Sequence, residues 1–287
     1  MIHPLHPPAD RIVISCDERR HVVLEMIRQA RSRIALSLFR CNDKALFAEL
    51  TAAVNRGVDV QVLVTSRAKG GKRTLEKLWT RLDATGASVH AYTDAVVKYH
   101  AKYLVVDEGP ALIASLNFTR KCFARTCDAM VVTYDPEVVA GLRALMEADR
   151  HGRPAPDFLS ERLIVGPERA RRQYTALLTQ ARSSIRLIDA KLSDPALMAL
   201  LNTRWAEGVT VEIYRDKYLT DMKSHGKIML IDDARAVVGS LALTALSLDF
   251  RREVAVVCDE PAAVAAVGQL FQSIAATSAA RSASVPI

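Results

Sequence analysis

The chain carries the same segment twice. QARSRIALSLF begins at Gln29 and QARSSIRLIDA begins at Gln180, 151 residues later. At the same offset Arg11-Ile-Val-Ile aligns with Arg162-Leu-Ile-Val. LFAELTAAVNRGVDVQVLV (46–64) aligns with LMALLNTRWAEGVTVEIYR (197–215), so Gly57 falls on Gly208. Self-similarity at a fixed offset means one structural unit built twice. Whatever fold the chain adopts must accommodate two related copies.

Each copy reads as strand, helix, strand, helix, strand. VVLEMIRQA (22–30) and YTALLTQA (174–181) place apolar residues at helical spacing, whereas RIALSLF (33–39) and VQVLV (60–64) are β-rich runs of strand length. Gly57 and Gly208 suit the turn from a helix C-terminus into the next strand. Alternating strands and helices predict an α/β fold with two α/β/α halves, each a mixed, mostly parallel sheet flanked by helices.

We assign residues 1–150 to the first half and 164–274 to the second. The polar, proline-bearing stretch HGRPAPDFLSERL (151–163) is read as a linker overlapping the start of the second half, and 275–287 as a flexible tail that frays from about Ala276. The first half holds 26 residues that the second lacks. They lie within TSRAKGGKRTLEKLWTRLDATGASVHAY (65–92), read as a Gly/Lys loop, an amphipathic helix and a short strand; the second half crosses with DKYLTDMKS (216–224) alone.

The most informative repeat lies beyond that difference. HAKYLVVDEGPALIASLNF begins at His100 and HGKIMLIDDARAVVGSLAL at His225, and both have the form H-x-K-x-x-x-x-D followed by a small residue and Ser. His100, Lys102, Asp107 and Ser115 match His225, Lys227, Asp232 and Ser240. With this duplicated HKD motif the chain resembles the phospholipase D superfamily over nearly its whole length. The resemblance implies halves related by a pseudo-two-fold axis with one active site between them, so that a monomer suffices. It also implies phosphodiester chemistry through a covalent phosphohistidine, with no metal and no cofactor.

The residue types fit that chemistry. Positions i and i+2 of an extended strand face the same way, so each copy presents one imidazole beside one ammonium. A phosphodiester needs its oxygens neutralised, a nucleophile in line, and an acid for the leaving oxygen. The lysines would neutralise, one neutral histidine would attack, and the other, protonated, would donate. By resemblance His100 is the attacker and His225 the acid, although the near-symmetry leaves the reverse order open.

Ser115, Ser240 and Asn117 are expected to hydrogen-bond phosphate oxygens or lysines. Asp107 and Asp232 lie on the opposite strand parity and are expected to hold structure rather than react. Asp128 in CDAMVV and Glu253 in REVAVV resemble the family's downstream acidic residue, which pairs with a motif histidine. The copies depart from the family pattern at Ala114, where glycine is usual, and at Ala242, where asparagine is usual. The second departure removes a polar contact that Asn117 supplies on the other side.

Composition narrows the partners. A formal charge of +7 favours polyanions such as nucleic acid or acidic lipid headgroups. The longest nearly uncharged run, Ala236 to Leu248, is too short to cross a bilayer, and MIHPLHPPAD lacks the flank and core of a signal peptide. Five cysteines at irregular spacings, without a C-x-x-C pair, read as reduced thiols. The expected setting is cytoplasmic, with peripheral contact at a membrane if the substrate is lipid. Phospholipid hydrolysis or headgroup transfer is the leading expectation, because HGKIMLIDD and LDFRREVAVV look like cardiolipin synthase-like members. Nucleic-acid cleavage is the alternative, supported by the basic SRAKGGKR loop (66–73), and non-catalytic phosphate binding is a second. Trp79 and Trp205 are both expected in the core.

Overall fold

The computed structural model describes residues 10–67 and 71–283, with side chains to Thr277. Ala68, Lys69 and Gly70 of the basic loop, the N-terminal MIHPLHPPA and the last four residues lie outside the described residues. In chain order the elements are β1 (Asp10–Val13), α1 (Cys16–Gln29), β2 (Arg33–Leu38), α2 (Lys44–Asn55), β3 (Asp59–Thr65), α3 (Lys72–Asp83), β4 (Ser88–Tyr92), β5 (Lys98–Tyr99), β6 (Tyr103–Val106), β7 (Ala111–Ala114), α4 (Arg120–Arg125), β8 (Thr126–Cys127), β9 (Met130–Thr133) and α5 (Pro136–Arg150). After residues 151–162, which carry no helix or strand, come β10 (Leu163–Gly166), α6 (Ala170–Thr179), β11 (Ser184–Ile188), α7 (Pro195–Ala206), β12 (Thr210–Tyr214), β13 (Tyr218–Leu219), β14 (Met222–Ser224), β15 (Ile228–Ile231), β16 (Arg235–Gly239), α8 (Ala245–Phe250), β17 (Arg251–Cys258) and α9 (Pro261–Ala283).

Two large sheets result, with orders β1-β9-β7-β6-β2-β3-β4 and β10-β17-β16-β15-β11-β12. Both are mixed, but antiparallel pairings predominate where mostly parallel ones were expected. Only β2–β3, β3–β4 and β11–β12 are parallel within these two orders. The physical reason is connection length. Asp107–Pro110 joins β6 to β7 and Asp232–Ala234 joins β15 to β16, and links so short make hairpins, whereas a parallel return needs a crossover of about a dozen residues.

Local chemistry starts the helices where the sequence allows. Asp43, Asp135 and Asp194 accept backbone N–H groups at the starts of α2, α5 and α7, and Thr119 and Thr244 do the same for α4 and α8. Gly57 and Gly208 take positive φ (83° and 93°) at the helix-to-strand turns, a conformation that favours glycine. The first half's additional residues contain α3 and β4, which have no counterpart between β12 and β13.

Three cores hold the halves together. One lies under α1 and α2, with Trp79 packed against its edge, and a second lies under α6 and α7. The third joins the two sheets and takes Tyr103, Ile113 and Val131 from one half and Leu230, Val238 and Val254 from the other. Central strands covered on both faces read as unbroken apolar runs, as in YLVV and IMLI. One expectation fails outside these cores. Trp205 is 69% exposed, on a face of α7 turned to solvent. Within the C-terminal tail the described backbone continues α9 to Ala283, in keeping with the helix propensity of an alanine-rich sequence.

Candidate active site

Each histidine is delivered across the boundary between halves. β5 leaves its own sheet and pairs with β17, and His100 N then donates to the carbonyl of Arg252 at 2.9 Å. Reciprocally, β14 pairs with β8, and Gly226 N donates to the carbonyl of Cys127 at 2.8 Å. The residues that follow Arg252 and Cys127 are Glu253 and Asp128. Each imidazole therefore meets the other half's carboxylate: His100 Nδ1 lies 2.5 Å from Glu253 Oε1, and His225 Nδ1 lies 3.0 Å from Asp128 Oδ1.

The lysines sit beside them as the i, i+2 spacing predicts. Lys102 Nζ donates to the carbonyl of His100 at 2.6 Å and lies 3.1 Å from its Nδ1; Lys227 Nζ donates to the carbonyl of His225. Both are buried, so two ammonium groups share a small, poorly hydrated volume with two carboxylates. An anionic ligand would find an uncommonly strong field there, because little water screens it.

The two pairs are not electrostatic equals. Burial, followed by the charges of Lys102, Lys227, Arg251 and Lys191, pushes His100 well below the ordinary imidazole range. Burial also pushes Glu253 up and Lys102 well down. With its hydrogen on Nδ1 facing Glu253, a neutral His100 has a free lone pair on Nε2. Asp128 is different. Burial pushes it up, but the hydrogen bond and charge of His225, then Lys227 and Ser115, outweigh that and hold it below the usual carboxylate range. An ionised carboxylate against Nδ1 is the partner that a proton-donating imidazole requires. The His225 side chain is 29% exposed against 15% for His100.

The serines hold the scaffold of the site together. Ser115 Oγ donates to Asp128 Oδ1 at 2.6 Å and accepts from Ala129 N at 3.0 Å. Ser240 Oγ instead exchanges hydrogen bonds with the backbone of Val254. The polar contact on Glu253 comes from Ser247, which donates to Oε2 and accepts from Ala242 N at 3.0 Å. Ser247, five residues after Ala242, thus links the Ala242 backbone to Glu253. Asn117 Oδ1 is buried without a hydrogen-bond partner. Alanine fits at Ala114, which has ordinary strand geometry, whereas a Cβ at Gly239 would meet Ala255 Cα at 2.3 Å.

The structure does not bring Asp107 and Asp232 to the histidines. They end β6 and β15 at the opposite edge of each sheet, roughly 16 Å of strand from the lysines. Asp107 accepts from the backbone N–H groups of Arg31, Ser32 and Arg33 and from Ser32 Oγ; Asp232 accepts from Arg182, Ser183 and Ser184 in the same pattern. Despite partial burial, those donors hold both carboxyls at about 2. A cleft of about 710 Å³ at this edge, lined by Arg28, Arg31, Arg56 and Asp107, is likewise remote from the histidines.

Sequence reasoning missed Phe39, Lys191 and Arg19 besides Ser247, while Arg251 reads from the sequence as a salt-bridge partner of the downstream carboxylate. Phe39 packs edge-on to His100 with ring centroids 4.4 Å apart and shields its outer face. Arg251 lies 3.7 Å from Glu253, and Lys191 stands on the loop that Asp189 fixes through Lys191 N and Leu243 N. Arg19, wholly buried in α1, donates to the carbonyls of Ile14, Cys122, Thr126 and Asp128 and so anchors the strand that leads to Asp128. The alignment of Phe39 with Ala190 and of Arg19 with Ala170 was a signal of asymmetry, but not of position.

A family model described as "Cardiolipin synthase, PLD-like domain" matches residues 23–150 and 177–275. The chain belongs to the phospholipase D superfamily. Among relatives of this superfamily member, cardiolipin synthase A of Pseudomonas aeruginosa (strain PAO1) is 32% identical over 127 residues, covering 44% of this chain and 26% of that one. The enzyme of the same name from Pseudomonas syringae is 29% identical over the same length. The match spans about a quarter of these curated relatives. Polyphosphate kinase from Porphyromonas gingivalis superposes with a TM-score of 0.73 at 19% identity, covering 92% of this chain and 50% of that one. Phosphatidylserine synthase from Haemophilus influenzae gives 0.68 at 13% identity, covering 93% and 86%. At such identities the likeness is one of fold, shared by both halves of this superfamily member. Among its described residues no helix is long and apolar enough to cross a membrane, and no group of three His, Cys, Asp or Glu is placed to hold a metal ion.

Proposed function

We propose that this protein is a phosphodiesterase acting through a phosphohistidine on His100, with phospholipid as its substrate. The observation that carries the reading is the pair of crossed histidine–carboxylate contacts, His100 to Glu253 and His225 to Asp128, with Lys102 and Lys227 beside them. Lys102 and Lys227 neutralise the non-bridging oxygens, and His100 Nε2 attacks phosphorus. As the bond to the leaving alcohol breaks, His225 gives its proton to that oxygen. In the second step His225 takes a proton from water or from an incoming alcohol, whose oxygen displaces His100. Glu253 and Asp128 fix the two tautomers, and no step calls on a metal or cofactor. Water as acceptor gives hydrolysis; an alcohol gives headgroup transfer.

Phospholipid as substrate is supported by the family model and by the name of the sequence relatives, cardiolipin synthase A. Nucleic-acid cleavage is the second reading, favoured by the charge of +7 and the exposed cations of α4. One assay separates them: turnover in EDTA of phosphatidylglycerol vesicles, of phosphatidylcholine vesicles, and of single- and double-stranded DNA and RNA, with His100→Ala as control. Lipid cleavage that vanishes in His100→Ala is expected, and a transfer product with added primary alcohol identifies the acceptor. Cleavage of nucleic acid alone sinks the lipid reading, and no turnover on any diester sinks the enzyme.

A further inference from the structure

The helices that lead into the two carboxylates are counterparts, and their exposed faces differ. α4 (RKCFAR) runs directly into β8, whose end is followed by Asp128, and α8 (ALSLDF) runs directly into β17, which carries Glu253. Their buried positions keep the same use: Cys122 and Phe123 in one, Ser247 and Leu248 in the other. Their exposed positions do not. Lys121 and Arg125 are exposed on α4, and in register with them α8 exposes Leu246 (43%) and Phe250 (48%). Spacing of i, i+4 puts each pair on one helix face.

α8 is held firmly while it presents these side chains. Arg171 donates to Asp249 and to Asp194, which caps α7, and Ser247 is tied to Glu253. Two large apolar groups on one turn of a fixed helix, three to seven residues before a site carboxylate, are costly to leave in water. Across the pseudo-two-fold axis the matching turn offers cations. We propose that α8 and α4 together form a docking surface for an anionic lipid bilayer, with Leu246 and Phe250 entering the acyl boundary and Lys121 and Arg125 binding headgroups. The charge of the α4 flank, the apolar α8 flank and their direct continuity with the site all fit an interface that is charged at its surface and apolar beneath. The surface rests on the phospholipid reading for its purpose, but its existence is tested without turnover.

The test is co-sedimentation of the full chain with vesicles of phosphatidylcholine alone and of phosphatidylcholine mixed with phosphatidylglycerol. Wild type is expected to bind the anionic vesicles, more weakly as salt rises. Leu246→Ser with Phe250→Ser is expected to lose roughly tenfold affinity per side chain. Lys121→Glu with Arg125→Glu is expected to lose binding to the anionic vesicles, about fivefold or more per charge. Both variants change exposed residues, so their melting temperatures and their turnover of a short-chain diester below its micelle concentration stay at the wild-type level. Undiminished vesicle binding by the Leu246/Phe250 variant overturns the proposal, as does a wild-type dimer that this variant dissociates while vesicle binding persists. Retention on DNA with none on vesicles overturns it in favour of the nucleic-acid reading. A chain that docks but cleaves no phospholipid sinks the proposed substrate and leaves the surface standing.

Discussion

Asp107 and Asp232 sit in environments that match donor for donor, whereas His100 and His225, seven residues earlier in the same two segments, do not. At the far end of these strands an aspartate ties a hairpin turn to the three residues that lead into the neighbouring strand. That task is the same in both halves, and both copies perform it in the same way. At the interface one histidine faces Glu253 under Phe39, and the other faces an ionised Asp128 with more exposure. Duplication supplies two equal scaffolds; a displacement on phosphorus needs one nucleophile and one acid. The sequence has diverged around the two histidines and stayed the same around the two aspartates.

The largest test breaks the symmetry of the histidines. His100→Ala and His225→Ala are each expected to lower turnover of an unactivated diester by about 10³-fold or more. A diester with a p-nitrophenolate leaving group needs no proton at that step. Its release in a single-turnover burst is expected to recover in His225→Ala and not in His100→Ala. Equal recovery in both would make the two histidines interchangeable.

A smaller effect tests the regions that are alike. Asp107→Ala and Asp232→Ala are each expected to cost roughly 2–3 kcal/mol by leaving backbone donors unpaired, seen as a lower melting temperature with kcat intact at 25 °C. The sign with pH follows from carboxyls held at about 2 in the folded chain. Their contribution is full above the unfolded carboxyl range near 4 and is lost as pH falls from about 4 to 2. Calorimetry should show less loss of stability across that window in each variant, and the two effects should add.

The smallest effect concerns pH. His100 is held low by burial and by four nearby cations, so its neutral form persists below pH 6.5, and the acid limb of kcat/KM should lie below that value. Removing one cation, as in Lys191→Gln, lets His100 rise and is expected to move that limb toward neutrality. A limb that stays in place, or that moves further into acid, contradicts the assignment of that limb to His100.

Much of this was legible in the sequence. The offset repeat, the paired H-x-K segments and the glycines before β3 and β12 specified two related α/β halves and singled out the histidines and lysines that the structure sets beside Glu253 and Asp128. Asp128 and Glu253 stood out as carboxylates inside apolar runs. The crossing of β5 and β14 into the opposite half did not, because strands of two or three residues carry no periodicity. The antiparallel hairpins were signalled by Gly109-Pro110 and by the three residues after Ile231, yet the strand–helix alternation of the first part of each copy outweighed them. Ser247 escaped because its counterpart is Cys122, so no repeated position marked it. Trp205 was placed in the core by its size, while the side of a helix left uncovered depends on tertiary packing.

The central claim is that His100, not His225, forms the bond to phosphorus. Rapid quench of His225→Ala with a phosphodiester substrate, followed by peptide mapping in a mass spectrometer, reads it directly. An adduct on the peptide containing His100 is the expected result, with none in His100→Ala; an adduct on His225 in the wild type, or none on either histidine, would contradict the account.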